Sequence, residues 1–101
     1  MNTYLISYDL RNPDKDYTPL FSSIRELGEY KHILSSVWLV SASTHDENSI
    51  YKVLGNKIDN SDMLIIIQVN PNRFNGYLPM STIGFIKDRQ QSSFFNQNHI
   101  Q

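Results

Sequence analysis

Asp9 closes an apolar stretch, Tyr4-Leu5-Ile6-Ser7-Tyr8, and opens a polar one that carries Arg11, Asp14, Lys15 and Asp16. A carboxylate at the C-terminal end of a strand can hold Mg2+ or Mn2+ through one oxygen while phosphate oxygens and water fill the remaining positions. The same side chain can do less. It can accept loop N–H groups or pair with Arg11, as turn carboxylates commonly do. Asp14 and Asp16 suit turn and cap roles. His32 and His45 are of the type that serves as general base, but neither stands at ligand or triad spacing. A lone histidine is usually an ordinary exposed or satisfied side chain. Ser7, Ser35 and Ser36 lack a nucleophile-elbow or Ser-x-x-Lys setting. No phosphate loop, His-Glu-x-x-His or calcium loop is present. Aromatic residues are numerous, with six Tyr, five Phe and one Trp. Tyr8, beside Asp9, suits either stacking against an RNA base or the core, where Tyr4, Phe21 and Trp38 belong by pattern.

These side chains need a scaffold, and the composition bounds it. The chain has 101 residues, enough for one ordinary core. Hydrophobic residues make up 40% and charged residues 19%, with a net charge of -1, which fits a folded domain better than a disordered one. Nine basic residues against ten acidic ones leave no excess for gripping phosphates over a wide surface, so a nucleic-acid site must be local or assembled across subunits. The absence of cysteine excludes disulfides, zinc–thiolate sites and a thiol nucleophile. No apolar run approaches the roughly 18 residues of a membrane span, and no basic-then-apolar leader opens the chain. A cytoplasmic setting is the expectation.

Alternation predicts a strand over Thr3 to Asp9, with Tyr4, Ile6 and Tyr8 on one face. Tyr17, Leu20, Phe21, Ile24 and Leu27 repeat at helical spacing behind Asp16, and Gly28 is a natural stop. Tyr30 to Leu34 and Ser36 to Ala42 read as two short strands in a hairpin. Thr44 and Glu47 have the spacing of a capping box, ahead of a helix with Ile50, Val53, Leu54 and Ile58 on its apolar stripe. Met63 to Val69 is an apolar strand, and Ser81 to Arg89 is a weak helix interrupted by Gly84. The expected organisation is a single α+β domain over 1–89 and a polar Gln/Asn-rich tail over 90–101. The order strand, helix, strand, strand, helix, strand is the ferredoxin-like βαββαβ pattern, an antiparallel sheet with two helices on one face. Met63 to Val69 would then be an edge strand apolar on both faces. Such an edge invites pairing, and a homodimer is the expectation.

Tyr-Leu-Ile-Ser-Tyr-Asp-Leu at 4–10, a helix ending in Leu27-Gly28, and Ser36-Val37-Trp38-Leu39 together resemble the small CRISPR-associated adaptation proteins. They also resemble the virulence-associated protein D group and its SinR-like relatives. The resemblance spans roughly Asn2 to Val69. It implies a ferredoxin-like homodimer and a metal-dependent endoribonuclease or other nuclease, toxin-like in some relatives. Asp9 of each subunit would face the dimer cleft and share Mg2+ or Mn2+. Arg11 would contact phosphate, with Ser36 near the same cleft and Tyr8 beside it. That family commonly has a basic helix start after the aspartate loop. Here the residues are Asp14-Lys15-Asp16-Tyr17, which speaks against strong duplex binding. Two other classes fit the same residues. One is a non-catalytic homodimeric scaffold for a partner protein, RNA or DNA. The other is a regulator that binds a small ligand in the cleft.

Overall fold

A computed structural model describes residues 1–90. The elements are β1 (Asn2–Asp9), α1 (Thr18–Arg25), β2 (Glu29–Leu34), β3 (Val37–Ala42), α2 (Glu47–Leu54), β4 (Met63–Val69) and α3 (Met80–Asp88), with a 3-10 turn at Gly55–Lys57. The class is α+β: one four-stranded antiparallel sheet and three helices. The chain divides between Val69 and Asn70 into two compact units. The first holds the sheet, α1 and α2, and the second holds α3. The polar tail expected over 90–101 lies, past Gln90, outside the described residues. No helix among the described residues is long and apolar enough to cross a membrane.

The sheet order is β2-β3-β1-β4, so β1 and β3 are the inner strands. Register follows from which side chains must leave water. Tyr4 lies opposite Val40 and Ile6 opposite Trp38, and these four are all buried. Together with Ala42 they form one face of the sheet. Leu20 and Ile24 from α1, Leu27 just past its end, and Ile50 and Leu54 from α2 close over that face. Each fully buried aliphatic side chain contributes about 1.5–3 kcal/mol of transfer free energy, so this single layer is the main source of stability for the unit. β4 places Leu64 and Ile66 against the same core and leaves Met63, Ile65 and Ile67 exposed on the opposite face. The edge strand is therefore apolar on both faces, as its sequence predicts.

The helix ends show where local chemistry decided the boundaries. Asp16 accepts the Thr18 amide at 3.0 Å, and Pro19 sits in the first turn of α1. The capping box of α2 falls two residues later than the Thr44/Glu47 spacing predicts. Asp46 Oδ1 accepts the Ser49 amide at 2.8 Å, and Ser49 Oγ accepts the Asp46 amide at 2.9 Å. A carboxylate outcompetes a threonine hydroxyl for the helix amides. The Tyr4 hydroxyl also donates to the His45 carbonyl at 3.0 Å, which fixes the chain just ahead of the cap. The helix ends at Leu54 rather than reaching Ile58, because Gly55 disfavours continued helix by about 1 kcal/mol. Ile58 still packs on the core from beyond the 3-10 turn. α3 forms over Met80–Asp88 despite Gly84.

Two substitutions test this packing. Trp38 is 3% exposed, so Trp38→Ala is expected to cost about 3–5 kcal/mol in urea unfolding. Gly28 lies against the Ser41 carbonyl, which a Cβ at that position would overlap. Gly28→Ala is expected to cost about 1–3 kcal/mol as an overpacking change. A neutral or stabilised Gly28→Ala would mean that the α1–β2 connection is free to move away from β3.

Candidate functional site

β1 delivers Tyr8 and Asp9 to opposite faces at its C-terminal end. Asp9 lies opposite Met63 in the β1–β4 pair, on the face that carries Ile65 and Ile67. Its carboxylate is 60% exposed and engages Arg11. Arg11 Nη2 stands 2.8 Å and Nε 2.9 Å from Asp9 Oδ2. The pairing with Arg11 anticipated as the simpler role for Asp9 is thus present. Its strength is modest, because an exposed ion pair is worth about 0–1 kcal/mol. A phosphate or a cation can therefore compete for either partner at small cost. Ser7, Tyr8, Asp9, Met63, Leu64 and Ile65 line an open recess of about 240 Å³ beside this pair.

Tyr8 turns the other way, into an aromatic row on the core face. Trp38 Nε1 donates to the Tyr8 hydroxyl oxygen at 2.9 Å. Burial pushes the Tyr8 phenol above its ordinary pKa, and the Trp38 bond only partly opposes that shift. Phe21 packs against both, 5.8 Å from the Tyr8 ring and 6.3 Å from Trp38. Ser36 sits next to Tyr8 through the backbone, its carbonyl accepting the Tyr8 amide at 3.2 Å. Of the four residues singled out by sequence, Asp9 and Arg11 are in direct contact. Tyr8 and Ser36 adjoin them at the same end of the sheet, but the Tyr8 side chain lies on the opposite face.

A group that sequence reasoning passed over holds this end together. Asp62, 7% exposed, ends the turn before β4. Its Oδ1 accepts the Arg11 amide at 2.7 Å. Its Oδ2 accepts the Tyr17 hydroxyl and the Asp59 amide, each at 2.7 Å. Asn12 Nδ2 donates to Asp59 Oδ2 at 3.2 Å, and the Asn12 amide donates to the Tyr17 hydroxyl at 3.3 Å. The loop from β1 to α1 is in this way tied to the turn before β4. Burial alone would raise the Asp62 carboxyl, but the Tyr17 hydroxyl and the two amides outweigh it and hold the group below its usual range. Burial, and then the bond to Asp62, raise Tyr17. The Asp59-Asn60-Ser61-Asp62 run reads in sequence only as a turn. The β1–β4 pairing is what carries it to Arg11.

Asp14 and His45 fall in structural roles. Asp14 lies in an Asx turn made by Asn12, whose Oδ1 accepts the Asp14 amide at 3.1 Å. His45 Nδ1 lies 3.0 Å from Ser49 Oγ at the start of α2. Among the described residues no group of three or more His, Asp or Glu side chains is placed to hold a metal ion. One chain thus offers one carboxylate at Asp9. Mg2+ keeps several waters and takes one or two protein carboxylates with phosphate oxygens, so Asp9 alone supplies the minimum of that donor set. Compared with known protein families, curated proteins and solved structures, the chain finds no match.

The Asp62 hub makes a pH-dependent prediction. A carboxyl held below its unfolded value stabilises the fold at neutral pH, and this contribution is lost as pH falls through the folded value. Asp62→Asn is therefore expected to lower the urea midpoint at pH 7. The gap to wild type should narrow on acidification from about pH 4 downward. Tyr17→Phe should lower the midpoint as well, and its effect should shrink in an Asp62→Asn background, because both act through one bond. Additive effects would separate Tyr17 from the hub.

Proposed function

We propose that the protein is a homodimeric, metal-dependent nuclease on a ferredoxin-like unit, with the two Asp9 carboxylates in a shared cleft. One observation carries the reading. Asp9 stands on the same sheet face as the exposed row Met63, Ile65 and Ile67, each about half exposed, with the open recess between them. A second copy seated on that row about a two-fold axis near the Asp9 end would bring like charges together, and a hard cation relieves their repulsion. The βαββαβ order and the β2-β3-β1-β4 sheet with both helices on one face support the ferredoxin-like part.

Asp9 from each subunit would hold Mg2+ or Mn2+, whose chemistry there is to activate water and neutralise a phosphodiester. Arg11 would leave Asp9 and take a phosphate oxygen, a small change given the exposed pair it starts from. Asp62 holds the Arg11 backbone in place while the side chain moves. RNA and DNA both carry the phosphodiester that this chemistry requires.

The Asp9–Arg11 pair favours a second reading, a homodimeric scaffold for nucleic acid or a partner protein in which Arg11 neutralises Asp9 permanently. The small-ligand regulator fits less well. The recess, about 240 Å³ and open, falls short of the roughly 300–1,000 Å³ of ligand pockets.

Sedimentation equilibrium is expected to show a dimer for wild type and a monomer for the double variant Ile65→Lys, Ile67→Lys. Wild type is expected to cleave RNA or DNA with Mg2+ or Mn2+ and to stop in EDTA. Asp9→Asn should stay dimeric and lose cleavage. Cleavage at the wild-type rate in Asp9→Asn would overturn the metal role. A dimer that cleaves nothing with any divalent ion would establish the scaffold.

A further inference from the structure

His32 lies flat on Trp38. Their ring centroids are 4.1 Å apart and their planes differ by 8°. The two residues are direct cross-strand partners, His32 on β2 and Trp38 on β3. Trp38 is buried, so one face of the imidazole is spent on it. β2 is an edge strand of the sheet, so among the described residues no further strand stands beyond the imidazole, and His32 is exposed. The ring is also held in rotation. His32 Nε2 lies 3.1 Å from the Ser35 carbonyl, which can only accept, so Nε2 carries the proton in that contact. The register shifts just past this point, Leu34 rather than Ile33 pairing with Val37. Bulges of this kind re-aim side chains at functional edges. His32, Ile33, Leu34 and Ser35 border an open recess of about 260 Å³. Tyr30, 43% exposed, lies 5.9 Å from Trp38.

A planar ring, backed by a buried indole and fixed by a backbone bond, has already lost most of the freedom that stacking would otherwise remove. Preorganisation of that kind favours binding of another flat π system. A buried structural histidine would present no open face, and a histidine serving only as an ordinary surface residue would have no reason to be clamped at both ring and nitrogen. The recess is too small for a drug-sized ligand and suits a single base.

We propose that the exposed face of His32 is a stacking subsite for one unpaired nucleobase of a single-stranded nucleic acid. The proposal rests on the nucleic-acid reading above for its substrate class, and on the His32–Trp38 stack for its location. A paired base is enclosed in its own stack and cannot present its face to a ring at a sheet edge, so the subsite selects single strands.

Trp38 is the one tryptophan of the chain, so its fluorescence reports the subsite directly. The experiment titrates the full-length protein with short oligoadenylate in EDTA, which stops metal-dependent cleavage. Wild type is expected to show a saturable change in Trp38 emission, which an RNA duplex of the same length fails to compete away. His32→Ala is expected to weaken binding roughly 5- to 100-fold, with folding checked by circular dichroism. His32→Phe, which restores a flat ring, should recover most of the affinity and also covers the case in which the alanine variant does not fold. Equal affinity in His32→Ala, equal competition by duplex, no recovery in His32→Phe or no binding by wild type would each overturn the subsite. Cleavage by wild type in Mg2+ is read separately. Binding through His32 without cleavage would sink the nuclease reading alone, and cleavage without His32 dependence would sink the subsite alone.

Discussion

The alternation of β1 is the constraint on which everything else in the first unit rests. β1 is an inner strand, paired on both sides, and its period of two sends Tyr4, Ile6 and Tyr8 to one face and Leu5, Ser7 and Asp9 to the other. A slip of one residue would push Asp9 into the layer now filled by Leu20, Ile24, Ile50 and Leu54, and would expel Tyr4 and Ile6. Burying an unpaired carboxylate and exposing two core side chains both act against that slip. The core therefore places Asp9 on the outer face as firmly as it places Ile6 inside.

Position along the strand is a separate matter, settled by polar chemistry. The chain leaves β1 at Asp9 into a loop from which only Leu10 and Tyr17 pack, partly buried, against the core, so hydrophobic burial holds it only in part. Asp62 adds three bonds of 2.7 Å to Arg11, Tyr17 and Asp59. These are charge-assisted bonds to a carboxylate shielded from water, the kind worth most among hydrogen bonds. Three such donors satisfy the carboxylate well enough that it stays ionised despite its burial. Arg11 is consequently fixed at its backbone by a buried carboxylate and held at its guanidinium only by the exposed pair with Asp9. That division is compatible with the exchange of partners proposed for Arg11.

Much of the architecture was legible because it depends on local patterns. Tyr4, Ile6 and Tyr8 at period two, Leu20 and Ile24 at helical spacing, and the uninterrupted apolar run from Met63 to Val69 each reveal their element without knowledge of the others. The same patterns assign Trp38 to the core, where it lies. The capping box was misplaced by two residues because Thr44/Glu47 and Asp46/Ser49 both satisfy the spacing, and only the residue at which the helix starts separates them. The site was less legible. Asp9 and Arg11, two residues apart, could be paired by eye. Asp62 and Tyr17 could not, since 45 residues separate them and only strand pairing brings them together. His32 was visible as a histidine, but its stack on Trp38 depends on the β2–β3 register and on the irregularity beside it.

That register also sets how the two ends of the proposed site relate. Asp9 and His32 lie on opposite faces of the sheet, on strands separated by β3. Adjacent strands are about 4.8 Å apart, so the two side chains are divided laterally by on the order of 10 Å. If both proposed contacts form, the nucleotide whose base would sit on His32 is therefore not the one whose phosphate would meet Asp9. A strand serving both must turn over the end of the sheet, past the Ser35-Ser36 turn and Tyr8, with a nucleotide or more in between. A flexible single strand can follow such a path, whereas a duplex, with a persistence length of about 150 base pairs, cannot bend around one strand end. The near-neutral charge of the chain agrees with this, since a site that reads a flat base needs fewer phosphate contacts than one that grips a duplex along its backbone. Opposite-face placement of Tyr8 and Asp9 thus follows from the pleat of one strand. On the proposed reading, the same pleat that sets Asp9 and His32 on opposite faces would favour unpaired nucleic acid over duplex.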